Sequence, residues 1–165
     1  MAGLILAYAR EVELGDVIPS EAEERNQLNQ WLEGTKRTLE YTAPGDFVAV
    51  KYSGAGPRTL RLLGTQPPAK PTPELAKALE AICDLAAKRG VRLLMDAEYV
   101  NVQHGIHEWT LDLMRKYNKP SDGKAVVYNT YQMYVLCFLS LRTGSKTSSL
   151  GISRRHLRHL PSILL

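Results

Sequence analysis

The stretch that decides the fold is Asp46-Phe47-Val48-Ala49-Val50-Lys51-Tyr52-Ser53-Gly54-Ala55-Gly56. Four apolar residues in a row, two of them β-branched, follow the turn Pro44-Gly45-Asp46 and stop at a glycine-rich turn, which is the signature of a short strand. An apolar run without polar alternation marks a strand of a parallel sheet, because crossover helices must cover such a sheet. The run ends on a lysine.

Two similar strands lie downstream. Val91 to Met95 ends in Asp96-Ala97-Glu98, and Ala125 to Tyr128 leads into Asn129-Thr130-Tyr131-Gln132. A fourth, Leu4 to Tyr8, stands upstream, is read as buried, and is followed by Arg10-Glu11. Helical patterns separate them. Ser20 is a cap for a first helix with Glu21, Glu23 and Glu24 in its opening turn and Leu28, Trp31 and Leu32 as its apolar stripe, and Gly34 is read as its punctuation. Thr72-Pro73 opens the best-bounded helix, with Leu75, Leu79, Ile82 and Ala86 on one face and Gly90 as the stop. Ile106, Trp109, Thr110, Leu113, Met114 and Tyr117 form one stripe on a third. Strand, helix, strand, helix, strand, helix, strand predicts an α/β chain with a parallel sheet.

Composition excludes several function classes. The chain has 165 residues, 44% hydrophobic and 23% charged, as in an ordinary globular protein. Its net charge of +4 does not indicate a nucleic-acid partner, because residues 1–135 carry 16 Lys and Arg against 17 Asp and Glu. The excess sits in Arg142, Lys146, Arg154, Arg155 and Arg158. Cys83 and Cys137 show no metal or disulfide spacing, and no run approaches the roughly 20 apolar residues of a membrane span. The apolar start lacks the cationic region of a signal peptide and the Arg- and Ser-rich character of a mitochondrial presequence, so no targeting sequence is read in this chain. Residues 136–165 hold six of the nine serines, five basic residues and no acid, and are expected to be a disordered or aberrant tail outside the fold, with residues 1–135 as the domain.

In β/α folds the strands' C-terminal ends carry the site. Here those ends hold Lys51, Asp96 with Glu98, and Asn129 with Tyr131 and Gln132. Each also has a bland reading: a solvated strand end for Lys51, a helix cap for Asp96 and Glu98, loop backbone partners for Asn129 and Gln132. Gly54-Ala55-Gly56 is a weak match to a phosphate loop and is read as a turn, Trp31 and Trp109 as core, and His104 with His107 lack a third metal ligand.

The motifs Asp46 to Gly56, Leu93-Leu94-Met95-Asp96-Ala97-Glu98 and Val127-Tyr128-Asn129-Thr130-Tyr131-Gln132, with Gly3 to Glu11, Gln103 and Leu113 to Asn118, resemble the proline dehydrogenases in their eukaryotic, fungal-like form. The resemblance covers residues 3–134. It implies a partial (β/α)8 TIM-type barrel of about the first four βα units, with FAD as cofactor, L-proline as substrate and a quinone of the mitochondrial inner membrane as acceptor. It further implies 1-pyrroline-5-carboxylate as product, peripheral membrane contact and the first step of proline catabolism. Lys51 resembles the lysine that holds the substrate carboxylate, and Asp96 the strand-end acid that orders cationic groups. Asn129 stands at the position of an amide against the flavin's pyrimidine edge, with Tyr131 and Gln132 lining the same end. The segments that would supply the family's later strands and arginines are not recognised, so the chain is expected to be a truncated fragment, inactive alone. The alternative is a non-catalytic half-barrel that self-associates or binds a full-length partner.

Overall fold

A computed structural model describes residues 3–12, 19–119, 121 and 123–132. Its compact units are Met1–Thr130 and Tyr131–Leu165. Only Tyr131 and Gln132 of the second are described, and the boundary expected at 135/136 lies outside the described residues.

The first unit holds β1 (Ile5–Ala7), α1 (Glu21–Glu40), β2 (Phe47–Val50), α2 (Pro57–Leu63), α3 (Pro73–Arg89), β3 (Arg92–Met95), α4 (Gln103–Tyr117) and β4 (Val127–Asn129), with a 3₁₀ turn at Ser53–Ala55. The strands form one parallel sheet in the order β1-β2-β3-β4. Each strand is added beside the last, so right-handed crossovers place every connecting helix on the same face.

Burial follows from that winding. In β2 and β3 the residues alternate between half-buried and buried. Val48, Val50, Leu93, Met95 and Val127 pack under the helices with Trp31, Leu39, Leu79, Ile82, Ile106 and Trp109. Phe47, Ala49, Arg92 and Leu94 point to the other face, where the Arg92 guanidinium lies 3.8 Å from the centre of the Phe47 ring and Tyr128 meets that ring edge-on. The strands are apolar along their length, yet among the described residues only one face is covered.

Local chemistry sets the helix ends. Ser20 caps α1 in a reciprocal box with Glu23. Thr72 accepts from the Leu75 N–H, Pro73 opens α3, and Gly90 closes it at φ 67°, a left-handed conformation that disfavours a side chain. Asn118, at the end of α4, ties that helix to β4: its Oδ1 accepts from Val126 and Val127 N–H at 2.9 Å, and its Nδ2 donates to the Val127 carbonyl at 2.6 Å.

Three expectations are corrected. Gly34 does not break α1, which runs 20 residues through it, because the Tyr8 ring occupies the space a side chain would need. Pro57–Leu63 is helical where no element was read after the glycine-rich turn, and Glu24 clamps it to α1 through Arg58 at 3.1 Å and Arg61 at 3.2 Å. The first strand is not buried: Leu4 and Ile5 are 65% and 63% exposed. It pairs with β2 on one edge only among the described residues, so its apolar side chains have little to pack against.

Candidate active site at the strand ends

Pairing continues one step past the assigned strands. The Asp96 N–H donates to the Val50 carbonyl and the Thr130 N–H to the Met95 carbonyl, so Lys51, Asp96 and Thr130 form the next row across β2, β3 and β4. That row faces away from the helices, opposite to Val50 and Met95.

Lys51 Nζ lies 3.9 Å from Asp96 Oδ2 and forms a salt bridge with Glu11, just past β1. The hydrogen bond to Glu11 is the main cause that holds the ammonium above its ordinary range; burial opposes it and the charges of Glu11, Asp96 and Glu98 add to it. A cation held between two carboxylates stays protonated at neutral pH. Sequence reading placed Lys51 and Asp96 at the site; they are neighbours. It did not single out Glu11, whose position after a strand end was the available signal.

The backbone behind Lys51 is held rigidly. Trp31, 1% exposed, donates its indole N–H to the Lys51 carbonyl at 2.9 Å. Gly54 leaves room for the same indole: a Cβ there would stand 2.6 Å from Trp31 Cδ1 and 2.7 Å from the Arg10 carbonyl oxygen. Trp31 is thus core, as read, and also a prop for the lysine.

Neither acid of Asp96-Ala97-Glu98 caps α4, whose N-cap is Val102 without a side-chain bond. Asp96 Oδ1 accepts from the Ala97 N–H at 3.0 Å. Glu98 reaches across to β2, and its Oε1 accepts from the Tyr52 N–H at 2.7 Å and the Ser53 N–H at 3.2 Å. Burial pushes its carboxyl above the ordinary range despite these bonds.

Asn129 is level with Val50 and Met95, one row short of Lys51 and Asp96, so its side chain leaves the sheet on the helix side. Both polar atoms of its amide, and Thr130 Oγ1, are buried with no hydrogen-bond partner among the described residues. Tyr131 and Gln132 belong to the second unit. Among the described residues no three His, Cys, Asp or Glu side chains gather as metal ligands, and no helix is long and apolar enough to cross a membrane.

A singly wound parallel sheet with a cation and acids at adjoining strand ends defines an α/β chain of the kind that places its chemistry beyond the strand ends. The sequence model described as proline dehydrogenase matches residues 4–138, and the chain belongs to that family. It is 34% identical over 125 residues to "Proline dehydrogenase 1, mitochondrial" of Dictyostelium discoideum, covering 74% of this chain and 21% of that protein. It is 43% identical over 56 residues to "Probable proline dehydrogenase, mitochondrial" of Schizosaccharomyces pombe, covering 34% and 11%. "Carbapenem antibiotics biosynthesis protein CarD" of Pectobacterium carotovorum is 27% identical over 121 residues, covering 68% and 31%. The chain spans about a fifth of the Dictyostelium relative's length. No solved structure matches.

Proposed function

We propose that the chain supplies the first four βα units of a (β/α)8 barrel flavoenzyme that oxidises L-proline to 1-pyrroline-5-carboxylate. The observation that carries this reading is the cluster of Lys51, Asp96 and Glu11 at three adjacent strand ends, within the family match. An amino-acid zwitterion needs a cation for its carboxylate and anions near its amine. Lys51 offers the first and the flanking carboxylates the second. Fixing the ring at both charges orients it for transfer of a hydride.

FAD, when bound, supplies the hydride acceptor of this chemistry. The unpartnered buried amide of Asn129 fits a polar ring edge, since its donor and its acceptor each need a hydrogen-bond partner. Asn129 would hold that edge, with Tyr131 and Gln132 next in the chain, while Lys51 and Asp96 hold the substrate. By analogy with the relatives' names, the setting is the mitochondrion; the resemblance of the strand-end motifs extends the proposal to a quinone of the inner membrane as electron acceptor and to peripheral contact with that membrane.

The four strands among the described residues do not enclose a cofactor, so a polypeptide of these 165 residues alone is expected neither to retain FAD nor to oxidise proline. Flavin absorbance of the purified chain and dye reduction with proline test this. Colourless protein without turnover is expected; stoichiometric flavin with turnover contradicts it. The second reading, a non-catalytic half-barrel that self-associates, is favoured by the exposed Leu4 and Ile5 at the start of β1. Light scattering after size exclusion separates the two: a monodisperse dimer supports this second reading and a monomer removes it.

A further inference from the structure

A chain of hydrogen bonds runs behind the candidate site, joins the ends of β2 and β3 through α4, and ends on a ring beside the backbone that follows β4. The Tyr52 and Ser53 N–H groups, just after β2, donate to Glu98, just after β3. The Glu98 N–H donates to Gln103 Oε1 at 2.9 Å, at the start of α4. With that oxygen engaged, Gln103 Nε2 is the donor to His107 Nε2, one helical turn on, at 2.8 Å. The backbone of Thr130, just after β4, acts on the same ring as a polar neighbour that favours its protonated form. None of these links belongs to the sheet's own ladder.

The polarity of the chain is fixed from end to end. A ring whose Nε2 accepts from an amide is neutral and carries its proton on Nδ1, the atom left to donate to a carbonyl. Burial of His107 works in the same direction by disfavouring the imidazolium. Gln103 is buried as well, at 8% exposure, which makes each of its bonds costly to lose.

We infer that Gln103 and His107 are positioning residues: they lock the loops after β2, β3 and β4 into one frame that sets the row of Lys51, Asp96 and Thr130. This rests on those strand ends being the active site, but its test uses neither proline nor flavin, so the two can fail separately.

Amide hydrogen exchange on the uniformly ¹⁵N-labelled full chain, read by NMR together with the ring ¹⁵N shifts of His107, is the test. In Gln103→Ala, exchange at Tyr52 and Ser53 is expected to accelerate by about tenfold, the scale of one lost hydrogen bond, with little change at Val48 and Leu93 in the sheet. Gln103→Glu is the isosteric second variant. Its carboxylate still accepts from Glu98 but donates nothing to the ring, so Tyr52 and Ser53 stay protected while His107 moves to a protonated Nε2 and titrates at higher pH. In the unaltered chain the ¹⁵N shifts should show neutral His107 with its proton on Nδ1. Acceleration spread evenly over the sheet, unchanged exchange at Tyr52 and Ser53 in Gln103→Ala, or an unaltered His107 spectrum in Gln103→Glu would each overturn the inference.

Discussion

The indole N–H of Trp31 donates to the backbone carbonyl of Lys51 across 2.9 Å, so a residue in the middle of α1 fixes the main chain at the strand end where the candidate site's cation stands. Position and packing are coupled here. The same ring that fills the core under β2 sets where the lysine's backbone lies.

Trp31→Phe keeps an aromatic ring but leaves the Lys51 carbonyl without its donor and opens a small void. The expected cost is about 2–4 kcal/mol, combining an unsatisfied buried acceptor with lost packing. Urea unfolding of both proteins at pH 7 measures it. A change below about 0.5 kcal/mol would mean that water or a neighbour replaces the indole.

Gly54→Ala tests the same contact from the other side. Its methyl would stand 2.6 Å from Trp31 Cδ1 and 2.7 Å from a backbone oxygen, too close for either to remain in place. Overpacking of this kind costs about 1–3 kcal/mol. Thermal unfolding should show a lower midpoint, and Trp31 fluorescence should shift as the indole is displaced.

How much of this was legible in the sequence depends on how local each signal is. Thr72-Pro73 and Gly90 bound α3 because capping acts within a turn, and the apolar run at Phe47 to Val50 marked β2 directly. Gly34 misled because helix propensity disfavours glycine, while the tertiary reason for it, the Tyr8 ring, lies 26 positions away in sequence. The fourth strand begins two residues later than its apolar pattern suggested, at Val127. In a period of two, register decides the face: Thr130 shares the row of Lys51 and Asp96, and Asn129 stands on the opposite side. Glu11 and the reach of Glu98 to β2 depend on strand pairing, which composition and spacing do not encode.

The pH dependence of Lys51 follows from its raised pKa. Its folded value lies above the ordinary 10.5, so the stabilisation from its carboxylate partners is fully present below 10.5 and is lost as pH rises through the folded value. The stability difference between the natural chain and Lys51→Met should therefore be constant from pH 7 to 9 and shrink above pH 10.5. A difference that stays constant or grows in that alkaline range would show that the pairing with Glu11 and Asp96 does not raise the lysine's pKa in solution.

Glu98 has the same sign in the acid range. Burial raises its pKa above 4.5, so its contribution is greatest below 4.5 and is lost as pH rises through the folded value. Glu98→Gln keeps an acceptor for the Tyr52 and Ser53 amides without the buried charge. Relative to the natural chain, its stability should improve between pH 4 and pH 7. Denaturant titrations at the two values check this, and an advantage that is larger at pH 4 than at pH 7 would contradict it.

The most direct measurement supplies the remaining units of the proposed barrel. The 165-residue chain is co-expressed with the part of the Dictyostelium proline dehydrogenase that follows its matched segment, and the purified pair is assayed for bound flavin and proline-dependent dye reduction. The account predicts flavin and turnover only when both parts are present, with turnover reduced at least about a hundredfold by Lys51→Ala or Asp96→Ala while flavin is retained. A pair that binds no flavin, or one whose proline oxidation is indifferent to Lys51 and Asp96, would contradict it.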